Sequence, residues 1–255
     1  MNPAAAASGV LFYIPVAVAA AGCAPGSAAS PPPEVWYDRP LPMTTETARL
    51  ASEGPVVELS FGIIGSERCR AQPTPCPLLI LLPGGAQNIN MMQETARPWA
   101  DGWKRGGWLV LAPAAPYAGP TFYEAHSPAL AAWYRYVLTT YAPRSPPALL
   151  GVSNGGIAAF RLLASRIPRP ARTIVAPGYL PSSLGPLPAG LHIDLVVGAE
   201  DAWRTEVEKT FETLCASGHT ARWFLIPGTG HALVDLAPEA MVDPQVLSPG
   251  RACTP

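Results

Sequence analysis

Residues 148–157 read Ala-Leu-Leu-Gly-Val-Ser-Asn-Gly-Gly-Ile: a short apolar run, a serine between two glycines, and the start of a helical pattern. A nucleophile on a sharp strand-to-helix turn needs small residues two positions before and after it, because the backbone is strained and packs tightly. Gly151 and Gly155 meet that need around Ser153. Glycine and serine also crowd ordinary turns, so the flanking strand and helix give the pattern its weight. The segment predicts a nucleophilic serine at position 153.

Short apolar runs and helical patterns alternate on both sides of this turn, which predicts an α/β protein with a mostly parallel sheet. The runs 77–82 and 108–112 are continuously apolar, as in central strands covered on both faces. Residues 56–64 alternate apolar and polar side chains, which predicts an edge strand. The other predicted strands cover 148–152, 173–176, 191–197 and 222–226. The predicted helices cover 90–105, 128–141, 154–166 and 204–217.

Two segments, 151–156 (GVSNGG) and 81–88 (LLPGGAQN), resemble the α/β-hydrolase superfamily. They are most similar to small extracellular esterases of the feruloyl esterase and polyhydroxybutyrate depolymerase type, with the dienelactone hydrolase and carboxylesterase groups close behind. The resemblance extends over residues 56–236. It implies the α/β-hydrolase fold, a mostly parallel central sheet with helices on both faces. It also implies a catalytic triad whose members follow one another in the order serine, acid, histidine.

A serine hydroxyl needs a base to remove its proton, and the implied order places that histidine after Ser153. His192 begins an apolar strand and His219 lies in a helix-ending turn, so both are expected to be structural or solvated. His231 follows the last predicted strand in a Gly-rich loop, which can turn the imidazole back over the sheet edge. We therefore predict His231 as the base. His126 precedes the serine, so the order excludes it from this role, and it could only line the pocket.

The acid that orients the imidazole is expected after a buried strand, at the same end of the sheet as the serine. Asp201 follows Gly198 in the strand, Gly, two residues, Asp arrangement that the resemblance implies. Glu200 is the neighbouring competitor, whereas Asp194 lies inside the strand and would point elsewhere. Asp201 could instead cap the helix that starts near Trp203, a position that aspartate favours. We predict Asp201 as the acid.

Acyl transfer creates an oxyanion that preorganised backbone N–H groups must stabilise. The resemblance implies that Asn154, directly after the serine, supplies one N–H group. The second is expected from the loop after the early central strand, at Gly85 or Ala86. Many relatives carry His-Gly in this loop, whereas this chain has Pro83, so the bracing of the loop must differ.

Residues 177–190, rich in Pro and Gly, separate two predicted strands at a point where larger hydrolases insert a helical cap. No cap domain fits in so short a segment. The site should therefore be open, which suits short acyl esters or the exposed ends of bulky substrates. Aromatic residues in loops could line it, although a loop aromatic is more often simple packing. These candidates for substrate binding are Tyr117, Phe122, Tyr123, Tyr179 and Trp203.

The residues before the domain resemble an export signal. Residues 9–22 form an apolar run that is too short to span a membrane but has the length of a signal-peptide core. The run ends in Ala-Ala-Gly before Cys23, which resembles a bacterial lipobox, although no Lys or Arg precedes it and Ala stands where Leu is preferred. We expect residues 1–23 to be a signal peptide of lipoprotein type, 24–34 a Pro/Ala/Ser-rich linker and 35–255 the catalytic domain. An Ala-rich disordered tail is the alternative.

The four cysteines after Cys23 are an even number, which suits two disulfides in an oxidising compartment. Cys69 and Cys76 bracket a Pro-containing loop, so their pairing is geometrically easy. Cys253 could then tie the C-terminal tail to a helix through Cys215. Other connectivities and isolated buried thiols are the alternatives. With the leader, this pattern predicts an extracytoplasmic protein that is periplasmic, secreted or anchored to a membrane through a lipidated Cys23.

Composition excludes several classes of function. The chain has 17 Lys and Arg against 18 Asp and Glu, a pI near 6.4, and no basic cluster, so nucleic acid is not the expected partner. Its four histidines are dispersed and no His/Cys cluster has metal-ligand spacing, so we expect neither metal nor cofactor. The domain is long enough to bury a core by itself, and we expect it to act as a monomer.

These residues together predict a serine hydrolase that cleaves carboxylic esters, either small or linked to a polymer, through an acyl-enzyme. Ser153 would attack the carbonyl, His231 would take and return the proton, and Asp201 would hold the imidazole. One alternative is an acyltransferase with the same triad. Another is a catalytically silent binding protein on the same fold. Peptidase activity would use the same machinery.

Overall fold

A computed structural model describes residues 41–51, 56–116, 120–125, 127–233, 235–244, 247 and 250–255. They all belong to one compact unit, Trp36–Pro255. The expected signal peptide with Cys23, the expected linker, and the side chains of Tyr117 and His126 lie outside the described residues. No helix in the described part of the chain is long and apolar enough to cross a membrane.

The described residues of this unit form a nine-stranded sheet, in the spatial order β1-β2-β4-β3-β5-β6-β7-β8-β9. The strands are β1 (Met43–Leu50), β2 (Val57–Ile64), β3 (Leu78–Leu82), β4 (Leu109–Pro113), β5 (Ala148–Gly151), β6 (Arg172–Val175), β7 (His192–Gly198), β8 (Thr220–Ile226) and β9 (Arg251–Cys253). The six strands from β3 to β8 run parallel. Strand β1 is antiparallel to β2, β2 to β4, and β9 to β8. The predicted mostly parallel α/β sheet is confirmed.

The prediction that residues 56–64 form an edge strand is wrong. Strand β2 lies inside the sheet, between β1 and β4. Only its second half, from Phe61 to Ile64, pairs with β4, and that half is buried throughout. The first half pairs with β1 alone, so its side chains alternate between buried and accessible as in an edge strand. On this side of the sheet the edge strand is β1, which the sequence analysis did not identify because its polar residues resemble a loop.

In the described part of the chain, six helices lie between the strands: α1 (Glu67–Ala71), α2 (Ile89–Ala96), α3 (Ala100–Arg105), α4 (Pro128–Tyr141), α5 (Asn154–Ala164) and α6 (Arg204–Ala216). The helix predicted over 90–105 is two helices, since Pro98 has no N–H to continue the ladder. Helix α4 has the predicted bounds, with Pro128 in its first turn and Ser127 Oγ accepting from the Leu130 N–H at 3.1 Å.

The core has two layers, one on each face of the sheet. Alternate residues of β3 enter the two layers, with Ile80 on one face and Leu79 and Leu81 on the other. Helices α4, α5 and α6 cover the first face, whereas α2, α3 and the segment around Met241 cover the second. The run 77–82 is therefore apolar throughout because both faces of its strand are buried.

Two disulfides join the cysteine pairs that the sequence analysis favoured among the possible connectivities. Cys69, in α1, is bonded to Cys76 in the loop before β3, and Cys215 at the end of α6 is bonded to Cys253 in β9. Both lie near the amino-terminal ends of the parallel strands. They cross-link segments around the sheet at the end opposite to the strand-helix turn at Ser153.

Candidate active site

Ser153 lies between the last residue of β5 and the first residue of α5, on the turn that the sequence analysis singled out. Its φ is 55° and its ψ is −123°, a conformation that non-glycine residues rarely adopt. A Cβ atom at Gly155 would collide with the carbonyl of Leu82 in the neighbouring strand β3, so only glycine fits. The strained backbone raises the Ser153 hydroxyl above the carboxyl ends of the strands.

His231 is the histidine that contacts this hydroxyl. It follows β8 after a four-residue turn, and its Nε2 lies 2.8 Å from Ser153 Oγ. His192 is exposed at the opposite end of β7. His219 is buried, its Nδ1 accepts from the Leu191 N–H at 3.4 Å, and burial lowers its pKa. The fold thus brings one of the three candidate bases to the serine.

Asp201 holds the other side of the imidazole. Its two carboxylate oxygens each lie 3.1 Å from His231 Nδ1, and its side chain has no solvent exposure, against 44% for His231. Asp201 Oδ1 also accepts the Trp203 N–H at 2.7 Å, directly before α6. The sequence analysis gave capping of this helix as an alternative role for Asp201. The carboxylate makes that contact and the contact to the imidazole at the same time.

The competing carboxylates lie elsewhere. Glu200 is exposed, and its backbone N–H donates to the Thr229 carbonyl at 2.9 Å, whereas its side chain makes no hydrogen bond to any residue that the structure describes. Asp194 is buried against two guanidinium groups: Arg222 approaches it at 2.7 and 2.8 Å and Arg172 at 3.4 Å. The hydrogen bond to Asp194 raises the pKa of Arg222 above its usual range. Asp194 thus stabilises the sheet and does not face the serine.

The loop after β7, which carries Asp201 (the acid loop), and the loop after β8, which carries His231 (the histidine loop), contact each other through their backbones. A Cβ atom at Gly198 would collide with the carbonyls of Thr229 and Gly230, so glycine permits the close approach of the two backbones. Just beyond it, the Ala199 N–H donates to the Ile226 carbonyl at 2.9 Å. The separation of Asp201 and His231 is therefore set by backbone contacts between neighbouring strands.

The loop 83–87 after β3 lies beside the serine, since a Cβ atom at Gly84 would come within 3.3 Å of Ser153 Cβ. Pro83 has no N–H, and the Gly84 N–H donates to Thr95 Oγ1 at 3.1 Å. Among the described residues, the N–H groups of Gly85, Ala86 and Asn154 donate to no protein group. These are the three donors that the sequence analysis named for the oxyanion, so they are available to a ligand.

Sequence reasoning missed two side chains that hold this loop. Asn154 Nδ2 donates to the Gly85 carbonyl at 3.0 Å, at a residue whose φ is +55°. Gln87 is completely buried and bonds to both Pro83 and Tyr123. The signal in the sequence was that an amide side chain belongs to one predicted oxyanion donor, Asn154, and that another, Gln87, directly follows the donor candidate Ala86.

One of the predicted aromatic residues, Trp203, stands beside the imidazole, and a second, Tyr179, packs against Trp203. The Trp203 ring lies 4.7 Å from the His231 ring at an interplanar angle of 80°, and Tyr179 packs edge-on against Trp203 at 5.2 Å. Tyr123 is half-buried and bonded to the Gln87 side chain. The suggestion that Phe122 lines the site is wrong, because it is buried in the core.

Solved structures resemble this chain in fold, although no protein-family model matches it and no curated protein matches it. An α/β serine hydrolase without a lid from Xanthomonas campestris has a TM-score of 0.52 at 21% identity, covering 79% of this chain and 95% of the other. The esterase PE8 has a TM-score of 0.55 at 16% identity, and the match covers 79% of this chain and 100% of PE8. A dienelactone hydrolase-like protein from Klebsiella pneumoniae has a TM-score of 0.52 at 18% identity, and the match covers 74% of this chain and 88% of the other. The chain has the α/β-hydrolase fold.

Within this α/β-hydrolase fold, the connection from β6 to β7 forms bends and turns without a helix, as its length predicts. Together with the 44% exposure of the His231 side chain, this leaves the serine open to solvent. Among the described residues, no group of three or more His, Cys, Asp or Glu side chains could hold a metal ion. The arrangement presents a polarised hydroxyl and free backbone donors at an open surface.

Proposed function

We propose that this protein is a serine hydrolase that cleaves carboxylic esters through an acyl-enzyme. The observation that carries the proposal is the unbroken chain of contacts from Ser153 Oγ to His231 Nε2, at 2.8 Å, and from His231 Nδ1 to Asp201, at 3.1 Å. A structural serine has no need of a histidine held by a buried carboxylate. The α/β-hydrolase fold, shared with solved esterases, supports the same reading.

In the first half of the reaction, His231 Nε2 accepts the Ser153 proton while Oγ attacks the ester carbonyl. Asp201 keeps the proton of the neutral imidazole on Nδ1 and stabilises the imidazolium that forms. The negative charge on the substrate oxygen faces the N–H groups of Asn154 and of Gly85 or Ala86. The imidazolium then protonates the departing alcohol, which leaves the acyl group on Ser153.

In the second half, His231 removes a proton from water, which attacks the acyl-enzyme carbonyl. The same N–H groups stabilise the second oxyanion, and the proton returns to Ser153 as the acid leaves. An exposed imidazole gives water direct access to this step. Tyr179 and Trp203 would form an aromatic wall for one side of the ester, and the missing helix between β6 and β7 favours short acyl groups or the accessible ends of polymers.

The test is hydrolysis of p-nitrophenyl esters from acetate to octanoate, together with fluorophosphonate labelling, for wild type, Ser153→Ala and the control Ser145→Ala. Ser145 is exposed in the loop before β5, at the other end of the sheet. We expect Ser153→Ala to lose labelling and at least about 10³-fold in kcat, whereas Ser145→Ala stays within twofold of wild type. A folded wild type that neither labels nor hydrolyses any ester would refute the esterase and favour a silent binding protein. If ethanol is added and the acyl group appears as the ethyl ester instead of the free acid, the protein is an acyltransferase.

The two disulfides support a place outside the cytoplasm, where thiols oxidise and disulfides persist. We propose that the enzyme works there as a monomer, on esters and without nucleic acid. Attachment to a membrane through a lipidated Cys23 remains a prediction from the sequence.

A further inference from the structure

Gln87 is a buried polar residue that the proposed mechanism does not use. Its side chain has no solvent exposure, and its φ of +57° is in the left-handed region that non-glycine residues avoid. Burying an amide and straining the backbone both oppose folding unless the contacts made in return compensate. A residue with both features at the base of the oxyanion loop calls for a specific role.

The contacts of Gln87 run in two directions. Toward the oxyanion loop, its Nε2 donates to the Pro83 carbonyl at 3.1 Å and its backbone N–H donates to the Gly84 carbonyl at 3.0 Å. Away from the loop, its Oε1 accepts the Tyr123 N–H at 3.1 Å and its carbonyl accepts the Ala115 N–H at 2.7 Å. The side chain therefore ties both ends of the loop to the segment before α4.

This segment is itself tied to the helix that carries the nucleophile. Arg161, in α5, donates from Nε to the Tyr123 carbonyl at 2.6 Å. Tyr123 is thus held on its N–H side by Gln87 and on its carbonyl side by Arg161. The chain Gln87–Tyr123–Arg161 connects the oxyanion loop to α5, which begins directly after Ser153.

A second tether acts on the same loop from the start of α5, where Asn154 Nδ2 donates to the Gly85 carbonyl. The free N–H groups of Gly85 and Ala86 lie between this tether and the Gln87 contacts. Glycine-containing loops are mobile when unrestrained, and oxyanion donors stabilise charge only when they are fixed beforehand. The two tethers set the loop relative to the serine from opposite ends.

We infer that Gln87 is a positioning residue for the oxyanion hole. Acting through Pro83 and Tyr123, it holds the Gly85 and Ala86 N–H groups at a fixed distance from Ser153. The inference rests on the proposed ester hydrolysis and adds to it the contacts that brace the loop 83–87. Gln87 contacts neither the substrate nor the reacting atoms.

The test compares Gln87→Met with wild type in p-nitrophenyl acetate hydrolysis. Methionine matches glutamine in length but removes both side-chain hydrogen bonds. We expect kcat to fall about 10- to 100-fold with KM within about threefold, because a displaced donor weakens the transition state more than the bound ester. The rate constant of fluorophosphonate labelling, which also builds negative charge on oxygen, should fall by a similar factor.

The matched control is His219→Leu, which also removes a buried side-chain acceptor of a backbone N–H, at the far end of β7. We expect its midpoint of thermal unfolding to fall while kcat stays within twofold of wild type. A Gln87→Met variant that behaves like this control, with a lower midpoint and unchanged kcat, would overturn the inference. If the folded wild type itself shows no ester hydrolysis, the proposed function is refuted instead.

Arg161→Met provides an independent reading if Gln87→Met does not fold. This substitution removes the hydrogen bond from Arg161 to the Tyr123 carbonyl without altering the loop 83–87 itself. We therefore expect kcat to fall at least threefold, with KM little changed. Where both variants fold, the double variant should be no slower than Gln87→Met, since residues that act as one unit are not additive. An Arg161→Met variant with the kcat of wild type, or strictly additive losses, would contradict the proposed chain of contacts.

Discussion

At the scale of single residues, Asp201 has two functions that one carboxylate can perform together. Its Oδ1 accepts the Trp203 N–H at 2.7 Å, which sets the turn into α6, and both oxygens face the imidazole at 3.1 Å. Because the side chain is completely buried, water cannot replace either contact. The imidazole, by contrast, contacts Asp201, Ser153 and, in a T-shaped arrangement, the Trp203 ring, while 44% of the His231 side chain remains exposed.

We predict that Asp201→Asn lowers kcat for p-nitrophenyl acetate by about 10³- to 10⁴-fold. The asparagine oxygen can still accept the Trp203 N–H, so the fold is retained. Its NH₂ group, however, would face Nδ1 and shift the imidazole proton to Nε2, which then cannot accept the serine proton. Steady-state kinetics and circular dichroism measure both effects.

The control for this prediction is Glu200→Gln, which neutralises the neighbouring carboxylate that the sequence left as a competitor. Glu200 is exposed and its side chain makes no contact with His231 among the described residues. We expect its kcat within twofold of wild type. A large loss in Glu200→Gln with a small one in Asp201→Asn would exchange the two assignments.

At the scale of elements, the two ends of β7 have different tasks. Its carboxyl end carries Gly198 and the acid loop, joined to the loop after β8. Its amino end follows Leu191, whose N–H is accepted by the buried His219 at 3.4 Å, just after α6 ends. The fold therefore places a buried neutral imidazole far from the exposed imidazole at the serine.

His219 should make stability depend on pH. Burial lowers its pKa in the folded state below the ordinary value of 6.5, so the unfolded chain binds the proton more tightly. Its contribution is fully present above pH 6.5 and is lost as pH falls from 6.5 toward the lowered pKa. We expect the difference in unfolding free energy between wild type and His219→Leu to be smaller at pH 5 than at pH 7.5, measured by urea unfolding. A difference that is constant with pH would contradict the shifted pKa.

At the scale of the whole molecule, one disulfide secures the C-terminal strand. The Cys215–Cys253 bond spans 38 residues, and near it Arg251 stacks on Phe211 at 4.8 Å and pairs with Glu208 at 2.7 Å. These contacts hold β9 against β8 at the amino end of the sheet. The serine lies at the other end, so the staple contributes to stability and not to the reaction.

Replacing both Cys215 and Cys253 by serine should therefore lower the free energy of unfolding by up to about 4 kcal/mol, since a long loop is released. We expect kcat at 25 °C within twofold of wild type. The matched control is the double replacement of Cys69 and Cys76, which span only 7 residues and should lose about 2 kcal/mol. Urea unfolding measures both. Equal losses in the two variants, or a large loss of kcat in the first, would refute the prediction.

The sequence by itself determined the features that depend on short segments. Continuous apolar runs located the central strands, and the glycines around Ser153 identified the turn, because only glycine fits where two backbones nearly touch. Cysteine spacing favoured the Cys69–Cys76 and Cys215–Cys253 pairs but left other connectivities open, and the structure has these two pairs. Local geometry and side-chain periodicity leave a direct trace in the chain, so these predictions needed no knowledge of what lies across the sheet.

Only the tertiary structure decided which distant groups meet. Strand β2 alternates because half of it lacks a second neighbour, so periodicity alone mistook it for an edge. The bond from Gln87 to Tyr123 joins residues 36 apart, and that from Arg161 to Tyr123 joins residues 38 apart. Such hydrogen bonds have no period and no motif, since they depend on how separate segments pack. The sequence therefore named the proposed reacting groups, whereas packing alone determined how the loop 83–87 is held beside them.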